Sequence, residues 1–271
     1  MIRIDLSPPD FIHVPQAPRI ERRTFCTRTP DNEWHMWTAG SVTAEGERLG
    51  LSNHTWSHLD APFHLLPRGP TFEQLDPRHY LALDARLVDL TSSDKERRET
   101  VNGVNYHTRV DVADLPEDLD AFEAVLFVTG FAALYATGYP MQSGADSHYP
   151  HVTREAAARL ATCPRLRVTG IDGPSFDKPE TNAIAHRLLL GRTPSPILLL
   201  ETLTFERLRA HVQPLPPRVL LTIEPLRAFG QDADGALSSV YAYAPTRGEE
   251  AEFAAFSKAL RSSTLIAAQS A

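Results

Sequence analysis

Apolar residues along the chain fall into short runs broken by Gly, Pro and polar clusters, and the runs have two textures. Ile2-Arg3-Ile4-Asp5-Leu6 alternates with period two and is stopped by Ser7-Pro8-Pro9, which predicts a short first strand. Residues 20–30 also fit an extended segment. Ala85 to Leu90, Ala124 to Gly130, Arg165 to Asp172, Pro196 to Leu200 and Arg218 to Ile223 are more continuously apolar. The most continuous of them suit strands buried on both faces. Between them lie stretches rich in helix formers: Arg154 to Ala161 behind a possible Thr153 N-cap, Thr204 to Arg209, and Glu249 to Leu260. Residues from Ser262 onward are expected to fray. Strands alternating with helices predict an α/β fold. No Gly/Ser linker, internal repeat or low-complexity tract divides residues 1–271, so one domain with a central mixed β-sheet flanked by helices is expected.

Composition narrows the partners. The 271 residues include 27 Lys and Arg against 34 Asp and Glu, a net charge of -7, with the acids dispersed. Phosphate backbones need a concentrated basic surface, so nucleic acid is not an expected partner, and neither is an anionic membrane. The run Asp94 to Glu99 mixes signs and predicts a solvated loop or turn. The two cysteines, Cys26 and Cys163, form no Cys-x-x-Cys pair, which excludes a zinc ribbon or redox motif. No stretch has the apolar length of a signal peptide core or a membrane span, so a cytoplasmic location is expected. Neither a Gly-x-Ser-x-Gly elbow nor a P-loop nor Gly-x-Gly-x-x-Gly is present.

Chemistry concentrates in one place. His54-Thr55-Trp56-Ser57-His58-Leu59-Asp60-Ala61-Pro62-Phe63-His64 holds three of the eleven histidines. Imidazole and carboxylate are the standard ligands of zinc, manganese and iron. His54 and His58 share a face if the segment is helical, whereas His58 and Asp60 share one if it is extended. Pro62 opposes a helix running through to His64. His64 is a fourth ligand or, because a catalytic metal must keep an open position, a general acid/base. Trp34, Trp37, Trp56 and Phe63 are candidate aromatic pocket walls. His148, Tyr149 and His151 stand in the polar loop Gly144 to Val152, either near the site or on an ordinary surface loop.

The spacing His-x3-His-x-Asp-x-Pro-x-His resembles the signature of the cyclase-like metal hydrolases, the family of bacterial kynurenine formamidase and isatin hydrolase, with Trp56 and Ser57 where that family has Gly and Thr. Further similarity lies in Ile4 to Ser7, Thr129-Gly130, Gly170 to Ser175, Ala185-His186, Leu200-Glu201, and Pro225-Leu226-Arg227 with Gly230 and Gly235. The resemblance implies the swivelling β/β/α fold of the cyclase family and one or two divalent ions, zinc foremost and manganese as the alternative. It implies that His54 and His58 hold one ion, that Asp60 is shared, that His186 and Glu201 complete a second site, and that His64 carries the proton. Trp56 and Phe63 would then meet a small aromatic or cyclic substrate. The implied activity is hydrolysis of an amide, lactam or lactone by metal-activated water, in a homodimer or tetramer. A cyclase running such chemistry in reverse and a metal-binding protein without catalysis are the alternatives.

Overall fold

The computed structural model describes residues 1–6, 20–29, 32–42, 48–54, 56–93, 97–137, 148–226, 233–246 and 248–269. The main sheet is built from β1 (Ile2–Asp5), β5 (His58–Asp60), β6 (Leu83–Asp89), β10 (Ala124–Val128), β12 (Val168–Ile171), β13 (Leu198–Glu201), β14 (Arg218–Pro225) and β15 (Gly235–Ala244). Three small sheets accompany it: β2 (Ile20–Thr29), β3 (Asn32–Val42) and β4 (Arg48–Ser52); β7 (Arg98–Val101) and β8 (Val104–His107); β9 (Arg109–Val110) and β11 (His151–Val152). The helices are α1 (Arg154–Ala161), α2 (Ile184–Leu190), α3 (Glu206–His211) and α4 (Glu250–Gln269).

The continuously apolar runs become the parallel centre. β6, β10, β12 and β13 pair in parallel, in that order, as the crossover connections between them require. β14 adds antiparallel to β6, and β5 adds antiparallel to β13. The ten-residue β15 then does two things. Ser238 to Tyr243 pair with β14, while Gly235 to Leu237 pair with β5. That second pairing closes the sheet into a ring of seven strands, with β1 extending the same edge of β15. The expected mixed central sheet is therefore present and, beyond that expectation, barrel-like.

Period-two alternation divides the packing. Leu59, Leu87, Leu126, Val168, Leu200, Leu221 and Val240, one or more from every strand of the ring, meet in one buried cluster. Val125, Phe127 and Leu199 face the other way and pack on Ala156, Ala157 and Leu160 of α1 and on Ala185 and Leu189 of α2. Each such fully buried Leu or Phe contributes about 1.5–3 kcal/mol. Thr153 caps α1 as expected, its hydroxyl accepting from Ala156 N at 3.3 Å.

Three expectations need correction. α4 continues to Gln269 rather than fraying at Ser262. The C-terminal half of the charged run is not a loose loop: Arg98 and Glu99 lie in β7, and Arg97 pairs with Asp114 at 2.7 Å; residues 94–96 are outside the described set. α3 begins at Glu206, two residues after the expected start, with Phe205 at its N-cap. Among the described residues no helix is long and apolar enough to cross a membrane.

Candidate metal centre

The motif is neither one helix nor one strand. Asn53 and His54 sit in a turn, His58 to Asp60 form β5, and Pro62 opens a short 3₁₀ turn that carries His64 inward. The extended alternative for His58 and Asp60 thus holds. β5 pairs Glu201 against His58, which places the glutamate at the end of β13 beside the motif. His186 arrives from the first turns of α2.

These groups converge. His54 Nδ1 stands 2.9 Å from Asp60 Oδ1, and His58 Nε2 stands 3.4 Å from the same oxygen. His58 Nε2 is 3.3 Å from Glu201 Oε2. His186 Nε2 is 3.3 Å from Glu201 Oε1 and 3.5 Å from Asp60 Oδ2. Donors about 2.0–2.2 Å from a shared ion, at 90–110° to one another, would themselves be about 2.9–3.5 Å apart, so the spacing fits. Asp60 supplies the test of fit. It is 0% exposed, and neither of its oxygens has a hydrogen-bond partner. A buried carboxylate without partners is costly unless a cation satisfies it. Two donor sets each gather their ligand atoms within 4.8 Å of one another: His58 with Asp60 and Glu201, and His54 with Asp60 and His64.

Each imidazole also has an outward anchor. His58 Nδ1 donates to Trp56 O at 2.7 Å, and His186 Nδ1 to Asp177 Oδ2 at 2.7 Å. His54 Nε2 and His64 Nδ1 both lie 3.0 Å from Asp234 Oδ2. A nitrogen that donates outward leaves the other nitrogen of a neutral ring unprotonated, with the lone pair that an ion requires, and such anchors fix ring orientation. Charge demands the same reading. Asp60, Asp177, Glu201 and Asp234 are all buried, and among the described residues their ion pairs are all with histidines. Four buried negative charges attract cations, whether protons on the rings or a metal ion. Burial by itself would favour neutral imidazoles, yet the acids outweigh it: Asp234 and Asp60 raise His54 to about 9, and Asp60 with Glu201 raises His58 to about 10. His64 moves down instead, through burial and the neighbouring His54 charge.

Backbone strain gathers here. Of six described non-glycine residues with positive φ, Trp56, Asn182, Ala183 and Thr202 lie within four residues of His58, His186 or Glu201. Trp56, at φ 55°, holds the left-handed conformation in which Gly is least penalised, and this conformation turns its carbonyl onto His58. Ser57 donates to the carbonyl of the strained Thr202 at 2.7 Å, tying the motif to the end of β13. Trp56 and Phe63 are both partly exposed beside the ligands. Tyr149 donates to Asp177 O at 3.0 Å, so this part of the 148–152 segment does reach the site, whereas His148 pairs with Glu99 on the surface. Residues 144–147, Arg227 and Gly230 are outside the described set, and the side chains of Trp34 and Trp37 are as well.

Sequence reasoning missed Asn53, Asp177 and Asp234. Nothing distinguishes two acids among 34 from spacing alone. The usable signal is the rule that a ligating histidine needs a second acceptor, together with Asp234-Gly235 as a turn dipeptide just before a strand.

The chain is matched from residue 4 to residue 178 by the family described as "Putative cyclase". It is 27% identical over 157 residues to a kynurenine formamidase of Bacillus mycoides, a stretch that covers 57% of this chain and 64%, just under two thirds, of that protein. Its fold is shared with isatin hydrolase A from Ralstonia solanacearum (TM-score 0.57, 18% identity, 89% and 91% of the two chains). It is shared too with a structure titled as a potential metal-dependent hydrolase with cyclase activity (TM-score 0.55, 20% identity, 90% and 99%). With 175 consecutive positions inside the family's pattern, the chain belongs to the cyclase family.

Proposed function

We propose that this chain is a metal-dependent hydrolase that opens an amide C–N bond, or the ring of a cyclic amide or lactone, in the manner of an arylformamidase. The observation that carries this reading is Asp60, a buried carboxylate with no hydrogen-bond partner, faced by nitrogens of three histidines. His54, His58, Asp60, His186 and Glu201 would hold one or two ions, zinc foremost. A divalent ion bound there supplies Lewis acidity, polarising a carbonyl and bringing the pKa of water towards about 7. His64 moves the proton: with Nδ1 committed to Asp234, its Nε2 is the atom left to take a proton and return it to the leaving nitrogen or oxygen. Trp56 and Phe63 offer apolar surface to a small aromatic or cyclic substrate, and the kinship with a kynurenine formamidase favours an N-formyl aromatic amine. The active form is proposed to be a homo-oligomer. Metal analysis of the purified protein, with turnover of N-formylkynurenine and isatin, tests the reading. At least one stoichiometric divalent ion and hydrolysis of either substrate are expected. A metal-loaded protein that turns over no amide, lactam or lactone would overturn it.

A further inference from the structure

We propose that Asp234 is a positioning residue whose single oxygen Oδ2 fixes the tautomer and orientation of His64 and couples that ring to the ligand His54. This deepens the hydrolase reading and rests on His64 as its proton carrier. An ionised carboxylate can only accept hydrogen bonds. The two ring nitrogens 3.0 Å from Oδ2, His54 Nε2 and His64 Nδ1, must both be N–H donors. It follows that the bare nitrogen of a neutral His54 is Nδ1, the atom 2.9 Å from Asp60, and that the bare nitrogen of His64 is Nε2. One carboxylate oxygen thereby sets two assignments, and the rings it holds stack with centroids 4.1 Å apart.

Asp234 is itself locked to the motif. Asn53 donates from Nδ2 to Asp234 Oδ1 and to Gly235 O, the latter at 3.2 Å. Ala61 N donates to Asp234 O at 2.8 Å. The next residue can only be Gly: a Cβ at position 235 would stand 2.8 Å from His54 Cε1 and 3.1 Å from Leu59 O. The His54 ring thus lies flush against the Asp234-Gly235 backbone. A buried acid kept merely for packing would not need two histidines, an amide and a bare glycine arranged around it.

The test is D234N in the full-length, zinc-loaded chain. The Asn amide nitrogen can face His64 Nδ1 only as a donor, which forces the other tautomer on the ring. Long-range ¹⁵N–¹H spectra at pH 8 should show His64 protonated at Nδ1 in the wild type and at Nε2 in D234N. kcat should fall about 10²–10⁴-fold with KM moved far less, as when the orienting acid of a catalytic histidine is lost. The double variant D234N/H64A should lose far less than the two single losses combined. Wild-type His64 protonated at Nε2, an unchanged kcat in D234N, or losses that add in full would each overturn the proposal. Should D234N not fold, the wild-type tautomer decides. Should the wild type hydrolyse nothing, the hydrolase reading fails while the tautomer still judges Asp234.

Discussion

Two aspartates lie at strand ends of the same sheet, both fully buried, and they are treated in opposite ways. Asp172, just after β12, accepts from Thr129 N, Thr129 Oγ1 and Gly130 N, so the residues that follow β10 satisfy it. Asp60, at the end of β5, accepts nothing and is ringed by imidazoles. Their proton affinities diverge accordingly. Burial opposes the charge of both. For Asp172 it outweighs the hydrogen bonds from Thr129 and Gly130 and pushes the carboxyl up to about 6. For Asp60 the charges of His58, His64 and His54 overcome it and hold the carboxyl well below the ordinary range. A self-satisfied buried acid is part of the fold. An unsatisfied one is reserved for something the chain does not make.

That contrast can be broken most sharply at Asp60. D60N should cost about 10³-fold or more in turnover and lower the metal content, read by kinetics and elemental analysis; an active, metal-replete D60N would end the distinction. H64A should keep the ion while kcat drops about 10²–10⁴-fold, which separates the proton carrier from the ligands; loss of the ion in H64A would instead make His64 a ligand. Stripping the metal with a chelator should destabilise the wild type by about 4 kcal/mol if the ion had been present at 1,000 times its dissociation constant, and should leave the melting temperature of D60N where it was. D172A should do the reverse. It should cost about 1–3 kcal/mol of stability, from the donors left unpaired, with metal content unchanged.

A pH series sharpens the contrast further. Because the folded Asp172 holds its proton up to about 6, above the ordinary 3.8, the folded state binds more protons than the unfolded one between those values. Wild-type stability from this group is therefore lost as pH rises through that window. The cost of D172A, measured by denaturant titration, should be smaller at pH 7.5 than at pH 4.5. An equal cost at both would mean that Asp172 is already ionised in acid.

What could be read from sequence follows from how local the information was. His54, His58, Asp60 and His64 share eleven residues, and their chemistry is legible because the candidate ligands are near neighbours. The parallel strands β10, β12 and β13 are legible because burial on both faces leaves continuous apolar runs. β15 is not: from Ala236 onward it alternates cleanly in burial, but largely with Ser and Ala, so the pattern lacks hydrophobic contrast. α2 is hidden by its start, two left-handed residues without a side-chain cap. Trp56 stands where the signature it resembles has Gly, and it takes the left-handed backbone that favours Gly, a conformation its identity does not announce. Asp177 and Asp234 act across 9 and 180 residues of sequence. An acid among dozens carries no mark of the histidine it will hold.

The closure of the ring by β5 has a consequence for biosynthesis. Among the described residues this three-residue stave pairs with β13 and β15, which begin at Leu198 and Gly235. The ligand-bearing segment leaves the ribosome early, and at about 5–20 residues per second it waits roughly ten seconds or more for its partners. During that wait three histidines and an aspartate are exposed on an unanchored stretch of nascent chain. The candidate centre is thus assembled only once β15 has been made, and a message truncated before residue 235 encodes the motif but not the geometry.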